Sequence, residues 1–187
     1  LRGEVSPWWK DGEVRFFLGV FLVFTLVAAG LLRWTHSAGG WTSLRDAAFT
    51  CASIMTTTGY TTADYDQWPV AVKAMLVLLM FMGGCAGSTA GGIKVGRIQV
   101  MLKAVTREIR LFMQPQAVLP VRMGRKFLEE KILLAILSFV ALFLFLMLVG
   151  VLAMIPLTPD IQTAVSSVIT CMGNVGPGFG GVGPTGN

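Results

Sequence analysis

Ser53-Ile-Met-Thr-Thr-Thr-Gly-Tyr60 returns in altered form 117 positions later as Thr170-Cys-Met-Gly-Asn-Val-Gly-Pro177. At that offset Ala47 falls on Ala164, Met55 on Met172 and Gly59 on Gly176. Each copy ends a short apolar run of helical length, carries glycine at the same place, and follows a hydrophobic segment long enough to cross a bilayer. A half-length helix, a glycine turn and flanking spans, repeated, is a way to present backbone carbonyls to a dehydrated cation inside a membrane.

Working outward, residues 1–13 form a polar lead with Trp8, Trp9 and Lys10, a composition suited to a membrane interface. Residues 14–32 hold a single charge, Arg15, and predict a span of about 28 Å. Arg33, Trp34 and His36 mark its far end, before the Gly39-Gly40 break. Ser43-Leu-Arg-Asp46 has capping-box form and predicts a helix over 43–56. At about 21 Å this helix is too short to span and reads as re-entrant, with a turn at 57–61. Pro69 starts a broken second span over 70–113, interrupted by Gly83-Gly-Cys-Ala-Gly-Ser-Thr-Ala-Gly-Gly-Ile-Lys94. Residues 14–113 thus form one repeat.

Residues 114–131 connect it to a second, partial repeat over 132–187. The apolar run 132–155 predicts a clear span. Thr158, with Pro159 and Asp160 behind it, caps a second short helix over 159–172, whose turn is 173–178. The glycine-rich tail after Gly178 cannot re-cross hydrocarbon, so the second repeat is expected to lack its closing helix in this chain. Leu1 is not an initiator methionine, and further sequence is expected upstream.

Composition agrees with an all-α integral membrane protein. Of 187 residues, 54% are hydrophobic and 13% charged. Nine of the 15 Lys and Arg residues lie between Lys94 and Lys131, which places that stretch on the cytoplasmic side by the positive-inside rule. Only Phe112 and Phe127 fall among these basic residues, too few for the aromatic interleaving of single-strand binding, which argues against nucleic-acid binding. Cys51, Cys85 and Cys171 lie in apolar or small-residue sequence and read as buried small side chains, and His36 has no partner at metal spacing. Asp46, Asp64, Asp66 and Asp160 fall on the external side, where they either concentrate cations or are simply solvated. Gly83, Gly87 and Gly91 form a GxxxGxxxG series, which fits either close helix packing or an unwound, gate-forming loop. A phosphate-binding loop is excluded, because Lys94 is followed by Val95 and no strand precedes the glycines.

These residues resemble the Trk/Ktr/HKT potassium transporter superfamily. Thr56-Thr-Thr-Gly-Tyr-Thr-Thr-Ala-Asp64 with Trp68-Pro69 looks like the third pore loop. Gly83–Lys94 is similar to the intramembrane loop that follows it in the TrkH-like branch, and Cys171-Met-Gly-Asn-Val-Gly-Pro-Gly178 to the fourth pore loop. The resemblance implies four potassium-channel-like repeats of span, pore helix and span, of which this chain holds the third and most of the fourth. It further implies potassium as the transported ion with no covalently bound cofactor, a homodimer, a cytoplasmic nucleotide-binding regulatory subunit of the TrkA type, and a multi-pass location in the inner (plasma) membrane among lipid. Thr57, Thr58, Gly59 and Tyr60 would line one quarter of the selectivity filter, and Asn174, Val175, Gly176 and Pro177 another. Gly87, Ser88, Thr89, Ala90, Gly91 and Gly92 would form the gating loop. Two other readings stay open: a sodium-selective or mixed cation relative, and a non-conducting membrane subunit whose glycines only pack helices. None of these readings makes the chain an enzyme.

Overall fold

The computed structural model describes residues 11–36, 39–114, 122–123 and 126–185. Most of the expected polar lead (1–10) and much of the expected connection (115–121, 124 and 125) lie outside them. Among the described residues six α-helices carry the architecture. These are α1 (Gly12–His36), α2 (Gly40–Met55), α3 (Val70–Phe81), α4 (Val95–Met113), α5 (Glu130–Met154) and α6 (Ile161–Gly173). Short 3-10 turns at Tyr65–Gln67, Ile155–Leu157 and Gly180–Val182 join or follow them. The connection between α4 and α5 contains a two-residue antiparallel ladder, Arg122–Met123 with Lys126–Phe127.

Among the described residues two helices, α1 and α5, are long and apolar enough to cross a bilayer. Each has 25 residues, or about 37 Å of helix. Their outer faces are apolar yet uncovered: Leu26 of α1 is 63% exposed and Phe145 of α5 is 60% exposed. Such faces suit a hydrocarbon solvent, where apolar side chains need no protein cover. In contrast, α2 and α6 have 16 and 13 residues and cannot span the roughly 30 Å of hydrocarbon.

The main core lies where these short helices meet α1 and α3. Ala28 and Leu32 of α1, Ala47 and Met55 of α2, Leu76 and Leu79 of α3 and Ile169 of α6 belong to one buried cluster. A second, smaller cluster joins Val100 and Ala104 of α4 to Leu133 of α5. The buried positions of α4 (Val95, Gly96, Val100 and Ala104) recur at nearly four-residue intervals, so this basic helix is amphipathic with one stripe turned inward.

Helix starts depart from the sequence expectation in two places. Ser43 does not open α2. The helix begins at Gly40, with extended Gly39 as its cap and no side-chain capping bond. Ser43 is 3% exposed and shares an inward stripe with Ala47, Thr50 and Ile54. Packing along that stripe carries the helix one turn past the local capping signal. Likewise Thr158 does not cap α6, because its hydroxyl donates back to Met154 O at 3.0 Å and finishes the preceding helix. Asp160 caps instead, with Oδ2 accepting from Thr163 N at 2.8 Å and Oδ1 from the Thr163 hydroxyl at 2.8 Å.

The GxxxGxxxG segment is not helical. Residues between α3 and α4 form an unwound loop closed at its base by a parallel bridge, Met82 with Ile93. There Gly83 N donates to Ile93 O at 2.9 Å and Ile93 N to Phe81 O at 3.0 Å. Helix packing through these glycines is therefore corrected to backbone-on-backbone packing within a loop.

Candidate functional site

The two glycine turns share one backbone design. Thr57 N donates to Ile54 O at 3.0 Å and Thr58 N to Ser53 O at 2.9 Å. After the 117-residue offset, Asn174 N donates to Cys171 O at 3.1 Å and Val175 N to Thr170 O at 2.9 Å. Both sets are the 5→2 and 6→1 bonds of a Schellman ending. Positive φ falls at equivalent places as well: Thr57 (55°) with Asn174 (56°), and Gly59 (76°) with Gly176 (103°). Asparagine tolerates the left-handed region, whereas a β-branched threonine there is strained. Strain at Thr57 therefore needs support from outside its own turn.

The turns also meet. A Cβ on Gly59 would collide with Val175 O and lie 3.1 Å from Pro177 Cδ, so only hydrogen fits between them. Gly176, by contrast, faces open space. Thr58, Tyr60, Asn174 and Gly176 are exposed, while Thr57, Gly59 and Pro177 are half-buried. Val175 packs its side chain into the core and leaves only its backbone for the turn. The hydroxyls of Thr56 and Thr58 bond to each other, and Thr56 Oγ1 also reaches Ala52 O at 2.7 Å.

The glycine-rich loop lies against both turns. Gly91 N donates to Thr57 Oγ1 at 3.2 Å, the external support that strained residue needs. A Cβ on Gly91 would collide with Gly173 O and the Asn174 Cβ at the end of α6. Gly87, Ser88 and Thr89 form the exposed tip, and Ala90, Gly91 and Gly92 the half-buried return. Lys94 folds over this loop, with Nζ donating to Ser88 O at 2.8 Å, to Ser88 Oγ at 3.3 Å and to Ala90 O. Its charge serves carbonyls that an unwound backbone leaves unpaired. On the other side, buried Glu13 of α1 accepts from Ala86 N at 2.7 Å and Gly96 N at 3.0 Å. Neither role was legible, because an acid beside an apolar run and a lysine after glycines each resemble an ordinary helix border.

The acids assigned to the external side are structural ties more than free charges. Asp66 Oδ1 accepts from Lys73 Nζ at 3.0 Å and from Gln162 Nε2 at 3.4 Å, and Oδ2 from Gly180 N at 3.1 Å. It joins the segment after the first turn to α6 and the segment after the second. Asp64 reaches Gln67 and Thr185, and Asp46 pairs with Arg45. Tyr65 sits beneath these ties, edge-on to Phe179 (5.4 Å between ring centroids) and to Trp68 (6.2 Å). Burial, reinforced by Asp66 and then Asp64, pushes its phenol pKa up. Asp66→Ala is expected to destabilise the full-length protein by about 1–2 kcal/mol, read as a lower Tm in detergent, with Asp66→Asn intermediate. An unchanged Tm for Asp66→Ala removes this tie from the account.

Of the cysteines, Cys51 is buried, Cys85 half-buried and Cys171 exposed, so the expectation of three buried thiols holds fully only at Cys51 and fails outright at Cys171. Among the described residues no cluster of His, Cys, Asp or Glu could hold a metal ion.

Comparison with known proteins shows the family. Residues 15–185 match the family model TrkH, described as a cation transport protein. The chain is 37% identical over 179 residues to the Trk system potassium uptake protein TrkH of Salmonella typhimurium, covering 95% of this chain and 37% of that protein. It is 35% identical over 191 residues to the Trk system potassium uptake protein TrkI of Halomonas elongata, covering 100% of this chain and 38% of that protein. The crystal structure of the potassium transporter TrkH from Vibrio parahaemolyticus superposes with a TM-score of 0.87 at 34% identity, covering 94% of this chain and 38% of that one. The fold is that of an all-α membrane transporter. The chain belongs to the TrkH family of cation transport proteins and aligns with the C-terminal part of its relatives. It spans little more than a third of their length.

Proposed function

We propose that this chain supplies two of four quarters of a potassium uptake pathway in a multi-pass protein of the inner membrane. The observation that carries the reading is the pair of turns with matching hydrogen bonds and matching positive φ, in contact at Gly59 and Val175. Each turn ends a short helix, whose carboxyl end carries partial negative charge and favours a cation. Carbonyls around Gly59 and Gly176 replace part of the hydration shell, as rings of carbonyls do in ion filters. The filter residues are Thr57, Thr58, Gly59 and Tyr60 with Asn174, Val175, Gly176 and Pro177, the last four acting through the backbone. The glycine-rich loop from Gly87 to Gly92 obstructs the path from the cytoplasmic side. A homodimer and a nucleotide-binding regulatory subunit complete the functional unit, and the names of the relatives support potassium as the ion.

The test is rubidium uptake into proteoliposomes holding the full-length protein. Uptake suppressed by excess potassium and indifferent to equal sodium is expected. Suppression by sodium alone makes the protein a sodium-selective relative, and no uptake with or without the regulatory subunit overturns conduction.

A further inference from the structure

We infer that Glu13 is a positioning residue for the glycine-rich loop, clamping its two ends to α1 and so setting how readily the loop moves. One carboxylate oxygen takes two N–H groups far apart in sequence, Ala86 at the outgoing limb and Gly96 in the first turn of α4. The residue is 8% exposed, and among the described residues it makes no ion pair. Its charge is therefore matched by the two backbone donors, one of them at the positive end of a 19-residue helix.

The clamp is itself held in place. Asp11 caps α1, with Oδ1 accepting from Glu13 N at 2.9 Å, which fixes the backbone of the residue that reaches the loop. Little else holds the limb at Ala86. Ala86, Gly87, Ser88 and Thr89 are exposed, and a Cβ on Gly87 would meet no atom within 4 Å. Lys94 holds the other limb through the carbonyls of Ser88 and Ala90. Without the carboxylate, Ala86 N and Gly96 N lose their acceptor, and the outgoing limb is tethered only at its base. Because α1 is the first helix of its repeat, displacement of its start pulls directly on the loop.

The inference rests on the loop being the gate only for its effect on transport, and two readouts separate the claims. In the full-length protein in proteoliposomes, N-ethylmaleimide labelling of Cys85, on the loop, and of Cys51, in the buried core, is followed peptide by peptide by mass spectrometry. Glu13→Ala is expected to speed Cys85 labelling at least tenfold with Cys51 unchanged. Glu13→Gln, which keeps an acceptor oxygen, stays within about threefold of wild type. Unchanged Cys85 labelling in Glu13→Ala overturns the positioning role. Parallel acceleration of both thiols overturns it as well, by making Glu13 a general stability residue, and Glu13→Gln behaving like Glu13→Ala overturns the hydrogen-bond account. Rubidium flux is read on the same samples. Faster Cys85 labelling with unaltered flux leaves Glu13 as the clamp and removes the loop as gate.

Discussion

Gly59→Ser is expected to abolish rubidium uptake by the full-length protein, whereas Gly176→Ser is expected to leave a folded protein with impaired potassium preference. The two glycines are equivalent in the repeat but meet different surroundings. At Gly59, with φ of 76°, any Cβ collides with Val175 O and presses on Pro177. The substitution thus deforms both turns at once, and the left-handed backbone adds about 1–2 kcal/mol of its own strain. At Gly176, φ is 103° but no atom lies within 4 Å of an added Cβ. Only backbone strain, about 1–3 kcal/mol, opposes a side chain there, and it is spent by shifting the turn's carbonyls. Uptake is expected to fall more than a hundredfold for Gly59→Ser. For Gly176→Ser it falls about tenfold, with sodium competing more strongly. Normal expression and monodisperse elution establish folding, and wild-type uptake in both variants would falsify the filter assignment.

Gly91→Ala is expected to raise rubidium leak about tenfold in the absence of the proposed regulatory subunit. A methyl at this position overlaps Gly173 O and Asn174 Cβ, so the loop has to withdraw from the end of α6. Withdrawal breaks the 3.2 Å bond from Gly91 N to Thr57 Oγ1, and a strained Thr57 then loses its outside support. Loop and first turn are disturbed together, which couples leak to weaker ion preference. Gly87→Ala is the matched comparison. It has φ of 84° but free space around it, so it strains the exposed tip without moving the docked limb, and leak stays near wild type. Equal leak in both variants, or none in either, removes the loop as the obstruction.

The main organisation was legible because hydrocarbon imposes simple rules on sequence. Long apolar runs had to become α1 and α5, and runs of about 14 residues could not. The 117-residue echo between Gly59 and Gly176 was readable from few identities, since positive φ restricts residue choice more than a helix face does. Glycine crowding between Gly83 and Gly92 showed that the helix would break there. Less legible were the helix starts. Ser43 carried a capping signal that the inward stripe of α2 overrode, and Thr158 was used by the end of the preceding turn.

Polar partners were the least legible, because their distances run through space and not along the chain. Glu13 reaches Ala86 and Gly96, Asp66 reaches Gln162 and Gly180, and Thr57 reaches Gly91. No local pattern marks such pairs. The sequence alone determined which segments are long and apolar enough to span, which are half-length, and where glycine leaves the backbone free to turn left-handed. Those properties follow from transfer to lipid and from Cβ sterics, both local to a few residues. Only the tertiary structure decided that the turns touch, that the unwound loop docks beneath them, and which charged side chains satisfy its backbone. Those outcomes depend on groups brought together from helices tens of residues apart.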